Sequence, residues 1–219
     1  MAATTVDDII SFVETDCNIT ISSSGTEPTE ADCIRWLNEI VFEVVNLCAQ
    51  YGSELGRTTG TITLSDGTAQ YSDLASDFLA PCIMVDEDGK QFSGWLEKTY
   101  SREPLVLVTE AHKVRYDPSN EQEPECFYLD ANNYVNFLQT PDDTYTAYIP
   151  YYQLKEYSAT TSEIGFQKVF DNLLRRSLKM RVMDREEYDL DMEWKWKSFI
   201  RDEAKKTILL RRNPNVGVQ

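Results

Sequence analysis

Histidine and glycine are scarce in this sequence of 219 residues, which contains 1 His and 9 Gly. It has no G-x-x-x-x-G-K-[ST], G-x-G-x-x-G, H-E-x-x-H or G-x-S-x-G pattern, so the signatures of nucleotide-binding proteins, zinc proteases and α/β-hydrolases are missing. The single histidine, His112, lies in a polar stretch and is predicted to be exposed. We therefore expect a protein that is not an enzyme and that binds no cofactor.

Paired cysteine motifs and long apolar runs are also missing. The five cysteines, at positions 17, 33, 48, 82 and 126, include no C-x-x-C pair, which indicates reduced structural thiols rather than a zinc site. Strongly apolar runs such as residues 105–108 fall far short of the roughly 20 residues that a membrane helix needs. Asp7 and Asp8 stand where a secretory signal needs basic residues. We expect neither a membrane span nor secretion.

Acidic residues outnumber basic ones by 37 to 21, which gives a formal net charge of −16. This excess argues against a surface that binds nucleic acid by neutralising phosphates. The imbalance is uneven, because residues 168–219 carry 13 Lys and Arg against 9 Asp and Glu, whereas residues 1–167 carry 8 against 28. The basic C-terminal part either contacts a partner or forms an ordinary solvated helix face.

Two helices are predicted near the N-terminus. Thr5 with Asp8, and Thr29 with Asp32, have the spacing of a capping box. Each pair precedes apolar residues at three- and four-residue steps, the period of an amphipathic helix. The second helix is expected to end near Gly52, since glycine accepts the left-handed conformation that closes a helix.

Two more helices are predicted near the C-terminus. Thr160 and Glu163 repeat the capping-box spacing and predict a helix over residues 161–182. Asp184 with Glu187 has the same spacing and predicts the start of a long final helix.

Residues 58–157 have a different composition, which is rich in Thr, Tyr, Val, Ile and Phe and is interrupted by turn-forming residues. This pattern predicts an antiparallel sheet of short strands. Hairpins are expected at the Asp-Gly pairs 66–67 and 88–89, and a three-stranded meander is expected over 127–152. The polar segment 117–125 is expected to form an exposed loop.

These elements together predict an α+β fold. The N- and C-terminal helices, within residues 1–57 and 158–204, are expected to form a helical bundle. The antiparallel β-region, residues 58–157, is an insertion into that bundle, and residues 205–219 are a C-terminal extension.

The order of three sequence strings resembles one known family. The strings are TEADCIRWLNEIVFEVVNLCAQYG at 29–52, AQYSDLASDFLAPCIMVDEDG at 69–89 and YVNFLQTPDDTYTAYIPYY at 134–152, and a helix pair follows them. Their order and spacing resemble the tailed-phage adaptor proteins, also called head-to-tail connector or neck proteins, which include tail tubular protein A. The resemblance covers roughly residues 29–205.

The resemblance implies a structural virion protein of the neck, made in the host cytoplasm. Such a protein forms a ring beneath the portal, commonly of twelve copies, and joins the portal to a tail or nozzle protein. DNA passes through the ring without specific binding, and an acidic body suits that role because it repels the phosphate backbone.

Two groups of residues are candidates for contacts in such an assembly. Aliphatic and basic side chains near the C-terminus are expected to dock on the portal: Lys205, Lys206, Ile208, Leu209, Leu210, Arg211 and Arg212. Acidic residues in two polar loops are expected to face the channel or the tail: Asp117, Glu121, Glu123, Asp142 and Asp143.

Two other classes of function remain open. One is an acidic monomeric binding protein, such as a DNA mimic or inhibitor, that targets a basic partner. The other is an enzyme that uses carboxylates such as Asp86 or Asp142. The acid clusters at 86–88, 142–143 and 186–187 coincide with predicted turns or helix starts, where carboxylates occur without a metal, so we expect no metal site.

Overall fold

The chain divides into two compact units. A computed structural model describes residues 4–72, 74, 76–116, 121–165, 168–183 and 190–212. The helical unit contains Met1–Gly56 and Leu154–Gln219, and the β-unit contains Arg57–Gln153. The fold class is α+β, as the sequence predicts, with helices towards both ends of the chain and strands between them.

The described residues of the helical unit form four α-helices. They are α1 (Val6–Cys17), α2 (Glu30–Gln50), α3 (Asp171–Met183) and α4 (Leu190–Arg212). Helix α3 packs against the other three, and α2 also packs against α4. The predicted cap of the last helix, Asp184 with Glu187, lies outside the described residues.

Both predicted N-terminal capping boxes are confirmed. The Asp8 backbone N–H donates to Thr5 Oγ1 at 3.2 Å, and the Thr5 N–H donates to Asp8 Oδ2 at 2.8 Å. Thr29 and Asp32 make the same reciprocal pair at the start of α2. Gly52 follows α2 with a φ of 58°, the left-handed conformation that ends the helix.

The helix predicted over residues 161–182 is wrong at its start. A 3-10 turn at Lys168–Phe170 leads into α3, which begins eleven residues after Thr160. The segment around Thr160 instead serves α1, since the N–H of Asp7 donates to the Thr160 carbonyl at 2.8 Å and the N–H of Val6 donates to the Ser162 carbonyl at 3.0 Å. The first N–H groups of a helix have no acceptor within that helix. The segment 160–162 supplies carbonyl acceptors for two of these N–H groups of α1.

In the part of the β-unit that the structure describes there are ten strands. They are β1 (Arg57–Leu64), β2 (Gln70–Tyr71), β3 (Phe78–Pro81), β4 (Met84–Val85), β5 (Gln91–Phe92), β6 (Gly94–Glu97), β7 (Arg102–Leu107), β8 (Cys126–Leu129), β9 (Val135–Phe137) and β10 (Tyr145–Gln153). The main sheet has the order β1-β10-β6-β7-β8-β9-β2, and β3 also pairs with β10. Strands β4 and β5 form a separate two-stranded hairpin.

The main sheet is mixed rather than antiparallel throughout. Strands β7 and β8 run parallel, with Val106 beside Cys126. The hairpin at 88–89 and the pairing of β8 with β9 are confirmed. The hairpin at 66–67 and the last step of the meander are wrong, because β1 pairs with β10 over eight residues and β9 pairs with β2. The long β1–β10 ladder satisfies more backbone groups than a local pairing with the two-residue β2.

Each unit has its own core. The β-unit buries one face of the sheet, with side chains that include Ile62, Leu96, Phe127 and Ile149. In the helical unit, the described side chains of α4 include a buried stripe at four-residue steps: Trp196, Ile200, Ala204 and Ile208. Side chains beside this stripe, such as Phe199 and Thr207, are half-buried, and those on the opposite side of α4 are exposed.

Candidate functional site

The two acidic loops predicted to make contacts lie together at one edge of the β-unit. A parallel bridge joins Glu121 to Thr140. The bridge places Glu121 and Glu123 beside the turn that carries Asp142 and Asp143. We call these four carboxylates the acidic edge. The sequence assigned them to separate loops, and only the tertiary structure brings them together.

The carboxylates of the acidic edge have different partners. Asp142 Oδ1 accepts the Tyr145 hydroxyl at 2.7 Å, and this hydrogen bond raises the pKa of the phenol above its ordinary value. Glu123 pairs with Lys98 Nζ at 2.8 Å, and that contact raises the pKa of the ammonium group. Asp142 and Asp143 remain exposed and project negative charge into solvent. Asp117, the fifth residue of this group, lies outside the described residues.

Residues 205–212 form the last two turns of α4, so this part of the expected extension continues the helical unit. Ile208 is 1% exposed, whereas Leu209 is 43% and Leu210 is 63% exposed. The burial of Ile208 assigns that side chain to the core of the helical unit and removes it from any docking surface. Leu209 and Leu210 remain as exposed apolar side chains at the end of the helix.

Basic side chains accompany these leucines. Lys205 Nζ lies 5.8 Å from the centre of the Tyr51 ring, and Lys206 pairs with Glu203 Oε1 at 2.7 Å. Both lysines are exposed. The side chains of Arg211 and Arg212, and residues 213–219, lie outside the described part. We call residues 205–212 the α4 end.

The helical unit also has a groove that the sequence did not predict. Its volume is about 850 Å³, and α2, α3, α4 and residues 154–158 line it. Phe42, which is 40% exposed, and the buried Trp196 are part of its apolar lining. The Arg181 guanidinium lies 4.3 Å from the centre of the Trp196 ring and pairs with Glu39 at 2.7 Å. A signal for it in the sequence is Phe42, an aromatic residue of α2 that lies outside the apolar positions recurring at three- and four-residue steps.

The groups most often used for metal binding or nucleophilic attack have the following surroundings in the described residues. No group of three or more His, Cys, Asp or Glu among them is placed to hold a metal ion. His112 is half-buried, with Nδ1 3.0 Å from Thr109 Oγ1. Burial raises the pKa of both the Cys33 and Cys48 thiols to about 12, so neither is a nucleophile at neutral pH. No helix in the described ranges is both long and apolar enough to cross a bilayer.

Comparison with models of protein families gives a match. A family model described as SU10 adaptor protein matches residues 4–214, which is nearly the whole chain. No curated protein matches the sequence. The match covers both units, and phage adaptors have a structural role in the virion and are not known as enzymes. The chain therefore belongs to the SU10 adaptor protein family, a family of phage adaptors.

Proposed function

We propose that this adaptor forms a ring beneath the portal, the twelve-copy ring that its resemblance to tail tubular protein A implies, and joins the phage head to a tail or nozzle protein. The observation that carries the proposal is the family match over residues 4–214. The exposed α4 end and the acidic edge add to it, because they offer two chemically different surfaces on the two units of one chain. A protein that joins two partners needs two such surfaces.

The acidic edge suits a surface that DNA passes. The β-unit carries 16 Asp and Glu against 6 Lys and Arg. A surface of this charge repels the phosphate backbone, so DNA gains no counterion release by binding to it. In this proposal Glu121, Asp142 and Asp143 face the channel or the next tail component.

The α4 end suits a surface that docks on the portal. Leu209 and Leu210 are exposed apolar anchors, and Lys205 and Lys206 flank them with positive charge. Apolar anchors surrounded by charged groups are typical of binding hot spots. The portal is expected to present an apolar groove with acidic side chains at its rim.

Portal retention tests this proposal. The double variant L209D/L210D changes two exposed side chains and leaves the buried stripe of α4 intact. We expect it to keep its circular dichroism and to lose at least tenfold in retention on immobilised portal at physiological salt. The matched control Y100D/V114D alters two side chains of the β-unit that are 99% and 92% exposed, and it should be retained like the wild type. Equal retention of all three proteins contradicts docking through the α4 end.

Assembly without the portal gives a second test. Each copy carries a formal charge of −16, so twelve copies repel one another at low salt. We expect sedimentation to show a monomer or weak association for the free chain and a ring only with the portal. A stable free dodecamer at low salt contradicts templated assembly. A monomer that does not bind the portal favours the acidic inhibitor as the function instead.

Particle assembly tests the acidic edge. The variant D142K/D143K reverses two exposed charges in one turn, although it also removes the hydrogen bond from Tyr145. We expect particles that carry it to eject DNA more slowly or to fail in tail attachment, while the purified variant remains folded. Fully infective particles contradict a role for this edge.

A further inference from the structure

The turn between β6 and β7 carries an exposed aromatic side chain. Tyr100 is 99% exposed, and its hydroxyl has no hydrogen-bond partner among the described residues. The hydroxyls of Tyr145 and Tyr148, at the same end of the β-unit, each donate to a carboxylate at 2.7 Å. These two tyrosines stabilise the fold, whereas the ring and hydroxyl of Tyr100 are available to a partner.

This turn has a defined shape and is attached to the acidic edge. The backbone N–H of Lys98 donates to the Ser101 carbonyl at 2.9 Å, which closes the turn. The Lys98 ammonium group lies 2.8 Å from Glu123 Oε1, so an ion pair joins the turn to the acidic edge. We call residues 98–101 the Tyr100 turn. An aromatic side chain on an ordered turn loses little conformational entropy when a partner binds it.

The end of the β-unit around the Tyr100 turn is strongly acidic. Backbone pairing brings four segments together there: residues 65–68, 97–103, 121–123 and 140–145. These segments contain seven carboxylates and two cations, which gives a formal charge of −5. Both cations are engaged, because Lys98 pairs with Glu123 and the Arg102 guanidinium lies 5.4 Å from the centre of the Trp95 ring. A surface of this charge attracts a cationic partner and repels the phosphates of DNA.

We propose that the Tyr100 turn and the acidic edge bind a cationic surface of the tail protein that follows the adaptor. The Tyr100 ring enters an apolar pocket of that protein, and Glu121 and Asp143 lie opposite its Lys or Arg side chains. An aromatic anchor with a rim of polar and charged groups is typical of a binding hot spot. This inference rests on the proposed function and assigns the acidic edge to the tail rather than to the channel.

A tail protein is the occupant because the other candidates do not fit this surface. The β-unit of a second copy carries 16 Asp and Glu against 6 Lys and Arg, so two such units repel each other. The basic α4 end of each copy is held by the portal in the proposed function and is not free to reach this surface. No group of three or more carboxylates in the described part of the chain is placed to hold a metal ion.

Photo-cross-linking in assembled particles tests this contact. Particles that contain the full chain with Tyr100→benzoylphenylalanine are irradiated, and the adducts are identified by mass spectrometry. We expect adducts to a tail protein, in a segment that contains Lys or Arg. The control Val114→benzoylphenylalanine changes a side chain that is 92% exposed in the 3-10 helix Glu110–Arg115, beyond the other end of β7, and should not label that segment. Adducts to DNA, to the portal or to a second copy, or no adduct in particles that carry tails, overturn the contact.

Retention of the cross-linked tail protein, in purified form, on the portal–adaptor complex is the second measurement. Y100A should lower this retention about tenfold, and Y100F, which keeps the ring, should stay within about twofold of the wild type. E121K/D143K reverses two exposed charges and should lower the retention about tenfold and make it less sensitive to salt. All three variants should keep the circular dichroism of the wild type, because the altered side chains are exposed. Equal retention of the tail protein by Y100A and the wild type overturns the role of Tyr100.

The outcomes separate this contact from the portal proposal. Portal-bound adaptor that retains the tail protein equally in all variants contradicts the tail contact and leaves portal docking standing. A wild-type chain that is not retained on the portal contradicts the proposed docking, and the cross-link in particles still decides the tail contact.

Discussion

Ile208 and Leu210 are two residues apart on α4 and are expected to respond in opposite ways to truncation. Ile208 is 1% exposed and continues the buried stripe of Trp196, Ile200 and Ala204, whereas Leu210 is 63% exposed. Replacing a buried Ile by Ala removes its transfer free energy and leaves a cavity, at a cost of about 2–5 kcal/mol. Replacing an exposed Leu by Ala removes little buried surface and costs about 0.5 kcal/mol or less.

We expect one of these substitutions to lower only the stability of the fold and the other to lower only the affinity for the portal. Ile208→Ala should lower the free energy of unfolding by about 3 kcal/mol, measured by urea titration with helical circular dichroism, and should keep its portal affinity while folded. Leu210→Ala should unfold like the wild type and bind the portal about tenfold more weakly. Deletion of everything after Ala204 combines the two effects, because it removes Ile208 together with the exposed leucines. Equal destabilisation by Ile208→Ala and Leu210→Ala refutes the assignment of Ile208 to the core.

Four further outcomes are expected. Thr29→Ala removes a capping hydrogen bond of α2 and should cost about 1 kcal/mol of unfolding free energy in urea titration. Hydrogen bonds from Thr29 lower the pKa of Asp32 below its ordinary 3.8. The stability that the ionised Asp32 contributes is therefore complete above pH 3.8 and is lost as the pH falls through the lowered pKa. In a pH series of thermal melts, Asp32→Asn should lose less stability in acid than the wild type. Cys33 and Cys48, whose pKa burial raises to about 12, should resist a thiol reagent at pH 8 until the chain unfolds, as mass spectrometry of labelled peptides can show. Gly94→Ala should destabilise the β-unit by about 1–3 kcal/mol in urea, since its Cβ would lie 2.7 Å from a backbone carbonyl of β10.

Local signals in the sequence predicted the starts of α1 and α2. The capping boxes at Thr5 and Thr29 formed as their spacing indicated, because a capping box involves residues only three apart. The same spacing at Thr160 failed, since the backbone there is used to cap α1 from a distance of more than 150 residues along the chain. A motif of neighbouring residues carries no information about hydrogen bonds to a segment so distant along the chain.

Strand pairing likewise depends partly on local motifs and partly on long-range contacts. The Asp-Gly turn at 88–89 produced the hairpin that it predicts, whereas the one at 66–67 did not. A turn motif specifies a change of direction, but the partner of a strand depends on which ladder satisfies more backbone groups. The pairing of β1 with β10, and the parallel pairing of β7 with β8, join segments that no short motif connects.

The sequence by itself determined the α+β class, the acidic body, the basic C-terminal part and the resemblance to phage adaptors, because composition, periodicity and the order of motifs are properties of the linear chain. Only the tertiary structure decided which side chains are available to a partner. Ile208 and Leu209 are adjacent and similar in chemistry, yet one is buried and the other is 43% exposed. The groove around Trp196 likewise forms only because three helices and a connecting segment meet there. The burial of a side chain depends on neighbours in space, and the local sequence does not specify those neighbours.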